Sequence, residues 1–269
     1  MKVVPMKPFM FIASMLLMFD NAGAAIVTKE VIYKVDTLTC KGFLAYDKAL
    51  ETRRPGILVC HDWWGLGDFT KGQTKKLAEL GYVAFAVDMY GNGAVAADSK
   101  AAAKMAGAVR GTPLLRQRIR EGLAVLLRQP LVDSSRVAGI GYCFGGSAML
   151  ELAYSGAKVN GVVAFHGGLF PPKQEDLGNI KAKFLFLHGA EDPTTPQDAI
   201  RTMEDMLSKA GADWQMVMFS NTVHGFTNPA SGSDKSKGAA YNPLSAARAW
   251  EYMKLFFQEL FANGRHDRP

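Results

Sequence analysis

Three side chains carry most of the chemistry that this sequence can offer. Cys143 is the centre of Gly141-Tyr-Cys-Phe-Gly145. The apolar run before it predicts a strand, the Ser147-Ala-Met-Leu pattern after it predicts a helix, and the two glycines keep side chains out of the tight turn between them. Such a turn pushes the thiol out of the chain path. A helix N-terminus behind it favours negative charge there, both on the sulfur and on an oxyanion held by backbone N–H groups. Asp192 closes His188-Gly-Ala-Glu-Asp192 after one apolar run, and His224 opens His224-Gly-Phe226 after another. Taken singly, Cys143 could be a buried small hydrophobe, Asp192 a helix cap and His224 a packing partner of Phe226. In the order thiol, carboxylate, imidazole they spell nucleophilic acyl transfer, with the imidazole moving a proton and the carboxylate orienting it.

Bringing three such groups together calls for strands whose ends converge on one edge. Residues 31–35 and 42–46 predict an opening antiparallel pair, and 56–60, 82–87, 136–142, 159–165, 184–188 and 214–219 predict further strands. Several are apolar throughout, as strands covered on both faces are. Helical patterns alternate with them. They run through Lys76 and Leu80, over the alanine-rich 94–109, and from Thr112-Pro113 with Leu115, Ile119, Leu123 and Leu126 on one stripe. Others follow Cys143, span 196–209, and start at Asn242-Pro243 with Ala246, Trp250, Met253, Phe257 and Leu260 on one face. The alternation predicts one α/β domain over 25–269, with a mostly parallel central sheet and helices on both faces. Cys, Asp, His is the chain order of the α/β-hydrolase fold. The 94–109 helix is expected to help cover the site. The polar loop 228–238, just after the His224 motif, is expected to border substrate.

On these residues the sequence resembles the dienelactone hydrolase family, over essentially everything after residue 24. The marks are Gly141-Tyr-Cys-Phe-Gly-Gly146, His188 to Asp192, His224-Gly-Phe226 and His61-Asp-Trp-Trp-Gly65. The resemblance implies that Cys143 attacks a carbonyl, His224 moves the proton, Asp192 orients the imidazole, and the backbone N–H groups of Phe144 and Trp63 hold the oxyanion. It also implies that Asp62 contacts the nucleophile and controls its ionisation, where the best-studied members carry the longer glutamate. The alternative for Asp62 is a loop aspartate bonding nearby backbone. Members acting on carboxylated lactones bind the carboxylate with two arginines, and the matching positions here are Asn92 and Asn228. Asparagine lacks the charge-assisted fork of arginine, so a small uncharged ester or lactone is expected, unless both asparagines only stabilise loops. Trp64, Tyr90 and Phe226, with Trp63 and Phe144, are expected to line an apolar pocket.

At the start of the chain, Lys2 and Lys7 precede an apolar run over 8–18 that leads to Ala22-Gly-Ala24. This is the layout of a secretory signal over residues 1–24, and the run is well short of the ~20 residues that cross a bilayer. The expectation is an exported protein, periplasmic or secreted, without stable membrane insertion once the signal is cleaved. Cleavage removes two lysines and one aspartate and takes the formal charge from +6 to +5. The remaining basicity is dispersed, through Arg116, Arg118, Arg120 and Arg128 among others, which suits a solvated helix face rather than nucleic acid. Cys40 and Cys60 could pair in an oxidising compartment, although two buried small hydrophobes is the preferred reading. His61 and His166 lack partners at metal-ligand spacing, so no metal is expected. No phosphate loop or dinucleotide fingerprint implies a dissociable cofactor. A small-molecule ester or lactone is the expected partner. Two other classes compete: a thiol redox or sensor protein, disfavoured by the lack of C-x-x-C, and a non-catalytic binding protein, disfavoured by the intact Cys, Asp and His set.

Overall fold

The structure is a computed structural model that describes residues 24–262. The expected export signal therefore lies outside the described residues, except for Ala24. Eight strands follow one another as β1 (Ile26–Val35), β2 (Leu38–Asp47), β3 (Arg54–Cys60), β4 (Val83–Val87), β5 (Val132–Tyr142), β6 (Gly161–Phe165), β7 (Lys183–Gly189) and β8 (Trp214–Phe219). They form one sheet in the order β1-β2-β4-β3-β5-β6-β7-β8. The β1–β2 and β2–β4 pairs are antiparallel and all others parallel. The α/β-hydrolase architecture expected from the motif order is the one observed.

Among the described residues, six α-helices connect and cover the strands: α1 (Asp68–Glu79), α2 (Ser99–Gly107), α3 (Pro113–Leu127), α4 (Phe144–Tyr154), α5 (Gln197–Lys209) and α6 (Pro243–Ala262). Strand alternation divides the core between two faces. Leu58, Phe184 and Phe186 pack with Ile119, Leu126, Met149 and Met203 on the side of α3, α4 and α5. Ile57, Val59, Leu185 and Leu187 pack with Leu77, Met253 and Phe257 on the side of α1 and α6. A sheet buried on both faces explains why the central strands read as unbroken apolar runs.

The opening hairpin and the alanine-rich segment depart from expectation. β1 and β2 are each ten residues long, reaching well beyond 31–35 and 42–46, because the pair stays in register from Ile26↔Asp47 to Val35↔Leu38. The alanine-rich segment is helical only from Ser99, not from residue 94. Asp98 caps that helix by accepting from the Ala101 N–H at 2.8 Å. Residues before the cap are held elsewhere: Val95 bridges Gly65, and the Ala96 N–H donates to the Trp64 carbonyl at 2.8 Å. Alanine propensity is a weak force, and tertiary hydrogen bonds override it. Cys40 and Cys60 are unbridged, and each is fully buried in the sheet.

Candidate active site

β5 runs straight into Cys143, and α4 begins at Phe144. Cys143 takes φ 51° and ψ −112°, a left-handed backbone that non-glycine residues adopt only when their surroundings impose it. Those surroundings are backbone. A Cβ at Gly141 would run into the Gly145 carbonyl, and one at Gly145 into the carbonyls of Cys60 and His61. The Cys143 N–H is fixed by the Phe165 carbonyl at 3.0 Å, and the Cys143 carbonyl accepts from Gly146 N–H at 3.0 Å. The thiol is half-buried. Neither the Phe144 nor the Trp63 N–H finds an acceptor among the described residues, so both remain available to an incoming oxygen.

Asp192 and His224 come from the loops after β7 and β8. The Asp192 N–H bonds the Gly189 carbonyl at 3.1 Å, and its Oδ1 accepts from the Thr194 N–H and hydroxyl at 2.8 and 2.7 Å. Its Oδ2 accepts from His224 Nδ1 at 2.8 Å. The His224 backbone is pinned on both sides, its N–H to the Gly238 carbonyl and its carbonyl to the Ala240 N–H. Nδ1 is thus engaged, and the Cys143 side chain lies close enough to the ring to help raise its pKa.

Burial opposes ionisation of both members of the pair, and in both the pairing wins. The bonds from His224 and Thr194 lower the Asp192 carboxyl to about 2, and Asp192 with Cys143 raises His224 to about 10. Two more imidazoles crowd the same carboxylate. His188 Nε2 lies 3.8 Å from Asp192 Oδ2, and the His166 ring meets the His224 ring edge-on at 5.1 Å. Burial pushes both of these rings down, His166 most, and the His224 charge adds to the effect. Of the three rings, His224 is the one whose pKa is raised. His166 is instead tied by Nε2 to the Thr227 hydroxyl at 2.7 Å.

The loop after β3 supplies the opposite wall. Asp62 is buried, its Oδ1 accepts from Trp64 N–H at 2.9 Å, and its Oδ2 faces Asn228 Nδ2 at 3.4 Å. Burial raises its pKa, and the nearby His224 works against that. No hydrogen bond joins Asp62 to Cys143 among the described residues; its carboxylate bonds run to Trp64 and Asn228. Asn228 is also engaged through Oδ1, which accepts from Ala230 N–H at 3.0 Å. Asn92 is an exposed turn residue at φ 56°, its N–H donating to the Thr39 carbonyl at 2.7 Å. Tyr90 is partly buried between the rings of His61 and Phe144 and donates its hydroxyl to the Trp63 carbonyl at 2.9 Å. It thus braces the segment that carries the Trp63 N–H. Trp64 packs edge-on against Trp63, half-exposed.

Phe226 needs correction as a pocket-lining residue. It is wholly buried, with its ring 5.5 Å from Phe219 and 5.2 Å from His166, and so forms the floor beneath His224 rather than a substrate surface. Phe226→Ala is accordingly expected to lower unfolding free energy by about 3–5 kcal/mol. Chemical denaturation measures this directly; a loss of substrate affinity at unchanged stability would restore the pocket role.

Several supporting residues escaped the sequence reading. Thr194 locks Asp192 and also lies 3.1 Å from His224 Nδ1; the D-x-T spacing of an Asx turn was the available signal. Asp88 is fully buried and gathers the N–H groups of Lys41, Tyr90, Gly91 and Gly93 at 2.8 to 3.1 Å, which fixes the loop bearing Tyr90. His61 joins two loops: Nδ1 faces the Asp62 carbonyl and Nε2 accepts from Met89 N–H.

With this geometry established, residues 40–261 match the family model described as the dienelactone hydrolase family. The chain belongs to the dienelactone hydrolase family. Among curated relatives of the family, a putative carboxymethylenebutenolidase of Aquifex aeolicus is 28% identical over 85% of this chain and 96% of its own length. One from Saccharolobus solfataricus is 26% identical over 86% of this chain and 98% of its own length. Among solved structures, the dienelactone hydrolase-like promiscuous phosphotriesterase P91, from metagenomic libraries, is 36% identical with a TM-score of 0.84, covering 88% of this chain and 99% of its own. This dienelactone hydrolase family member is a carboxymethylenebutenolidase-like hydrolase.

Proposed function

We propose that this protein hydrolyses a small carboxylic ester or lactone, uncharged where it meets Asn92 and Asn228, through a covalent thioester on Cys143. The observation that carries the reading is one arrangement: a thiol on a strained strand-to-helix turn, against an imidazole whose other nitrogen is 2.8 Å from a buried carboxylate. In the first half, Cys143 sulfur bonds to the carbonyl carbon, with the proton that the thiol gives up held on His224. The carbonyl electrons move to the oxygen, which the Phe144 and Trp63 N–H groups stabilise. As the oxyanion collapses, the carbon–oxygen bond to the leaving group breaks and His224 returns the proton to it. In the second half, water adds to the thioester, His224 takes its proton, and the acid leaves as sulfur regains that proton. Asp192 holds the ring and stabilises the imidazolium throughout.

The redox alternative needs a second accessible thiol. Cys40 and Cys60 are both 0% exposed, which favours the hydrolase. The reading includes export through residues 1–24, supported by the charge and apolar pattern there.

A short-chain aryl ester mixed with enzyme and quenched within the first turnovers is expected to add one acyl mass to the peptide carrying Cys143. An acyl group on any other residue, or turnover with no adduct under conditions that trap a thioester, would overturn the assigned nucleophile.

A further inference from the structure

Positions 92 and 228 carry no charge, yet a cleft beside the nucleophile-bearing helix does. A cleft of about 750 Å³, within the range of small-molecule sites, lies beside the first turns of α3 and α4. Leu115 and Phe170 contribute apolar lining, and Arg110, Arg120, Lys173 and Glu151 also line it. The other cation, Arg116, is already neutralised: it bonds Glu151 at 2.7 Å and Asp176 at 2.6 and 2.9 Å. Arg120 donates to Ser155 Oγ and the Ser155 carbonyl. Arg110 and Lys173 have no carboxylate within ion-pair distance among the described residues. The cleft therefore holds uncompensated positive charge beside apolar lining.

Arg110 and Ser147 tie the cleft to the helix that follows the nucleophile. The Arg110 guanidinium lies 5.9 Å from the centre of the Phe144 ring, and Phe144 directly follows Cys143. Ser147, one turn into α4, lines the cleft and donates its hydroxyl to the Gly168 carbonyl at 2.8 Å, two residues beyond His166.

We propose that the cleft bound by Arg110 and Lys173 is a subsite for an anionic group, a carboxylate or its equivalent, at the far end of an apolar arm of the substrate. The substrate part of this inference rests on the hydrolase reading; the anion site does not. The substrate class is then a half-ester of a dicarboxylic acid or a lactone with a remote acid, neutral around the reacting carbonyl and negative at its distal end. A guanidinium and an ammonium beside apolar lining recognise an amphipathic anion, whereas a wholly apolar tail would leave both cations unused.

Two measurements test it. In the first, the mono-aryl ester of pimelic acid is compared with the same aryl ester capped as its methyl ester, in wild type and in Arg110→Gln/Lys173→Gln. Wild type is expected to favour the anionic ester by about tenfold in kcat/KM, a preference that shrinks with added salt and falls close to unity in the double variant. A preference absent from wild type, or intact in the variant, overturns the subsite. In the second, calorimetric titration compares 4-phenylbutyrate with 4-phenylbutyramide as ligands of the same two proteins. Saturable binding of the acid alone, lost in the variant, supports the anion site whether or not any ester is turned over; equal binding of acid and amide refutes it. Failure to hydrolyse either ester alongside selective acid binding would instead count against the hydrolase reading.

Discussion

Replacing Cys143 with alanine is expected to lower kcat/KM on a neutral aryl ester by about ten-thousandfold or more, and His224→Ala by a similar factor. The double variant is expected to be no worse than either single one. That non-additivity follows from how the groups act: the thiol is useful only if its proton has somewhere to go, and His224 has no nucleophile to serve once the sulfur is gone. What survives is the contribution of the Phe144 and Trp63 N–H groups and of binding. Folding is a small concern at position 143, because the strain of φ 51° belongs to the backbone and alanine inherits it unchanged. The comparison requires steady-state kinetics on all four proteins and their melting temperatures. Losses that multiply in the double variant would mean that the two residues act in separate steps, and substantial activity in Cys143→Ala would place the nucleophile elsewhere.

The parts of this site that the sequence made legible are those where backbone geometry dictates residue type. Gly141 and Gly145 could be read because a tight turn leaves no room for a Cβ, and the structure puts carbonyl groups where each Cβ would be. Asp192 and His224 could be read because each follows an apolar run, and parallel strand ends share an edge. Side-chain direction was not legible. Phe226 is two residues from His224, yet its ring turns inward to Phe219 while the imidazole turns to Asp192. Residues whose importance lies in holding others were also silent. Asp88 matters because four backbone N–H groups converge on it, one of them from β2, and no local pattern announces a contact with Lys41. The 94–109 segment failed for a related reason: its composition favours helix, but bonds to the Gly65 and Trp64 region hold its first residues in extended form. The anion cleft, too, depends on which arginines are already paired. Arg110 and Arg116 look alike in the sequence, and only the carboxylates of Glu151 and Asp176 separate them.

Asp192→Asn should be the most informative change after those, because it removes one charge and leaves the packing. Asparagine cannot hold the imidazolium, and its amide can present the wrong group to Nδ1. A fall in kcat of about a hundredfold to ten-thousandfold is expected, with a smaller change in KM. The same substitution should also alter stability in a pH-dependent way. His224, raised from its usual 6.5 to about 10 in the folded protein, contributes stability that is fully present below pH 6.5 and is lost as pH rises toward 10. Asp192, lowered from 3.8 to about 2, contributes stability that is present above 3.8 and is lost as pH falls toward 2. Since Asp192 is a partner in both shifts, the melting-temperature advantage of wild type over Asp192→Asn should be greatest and flat between about pH 4 and 6.5, then shrink on either side. Thermal unfolding of the two proteins across that range provides the test. An advantage that grew between pH 6.5 and 10 would mean that the folded site favours neutral His224, and the proton would then have to be placed elsewhere in the cluster, on His188 or His166, which burial disfavours.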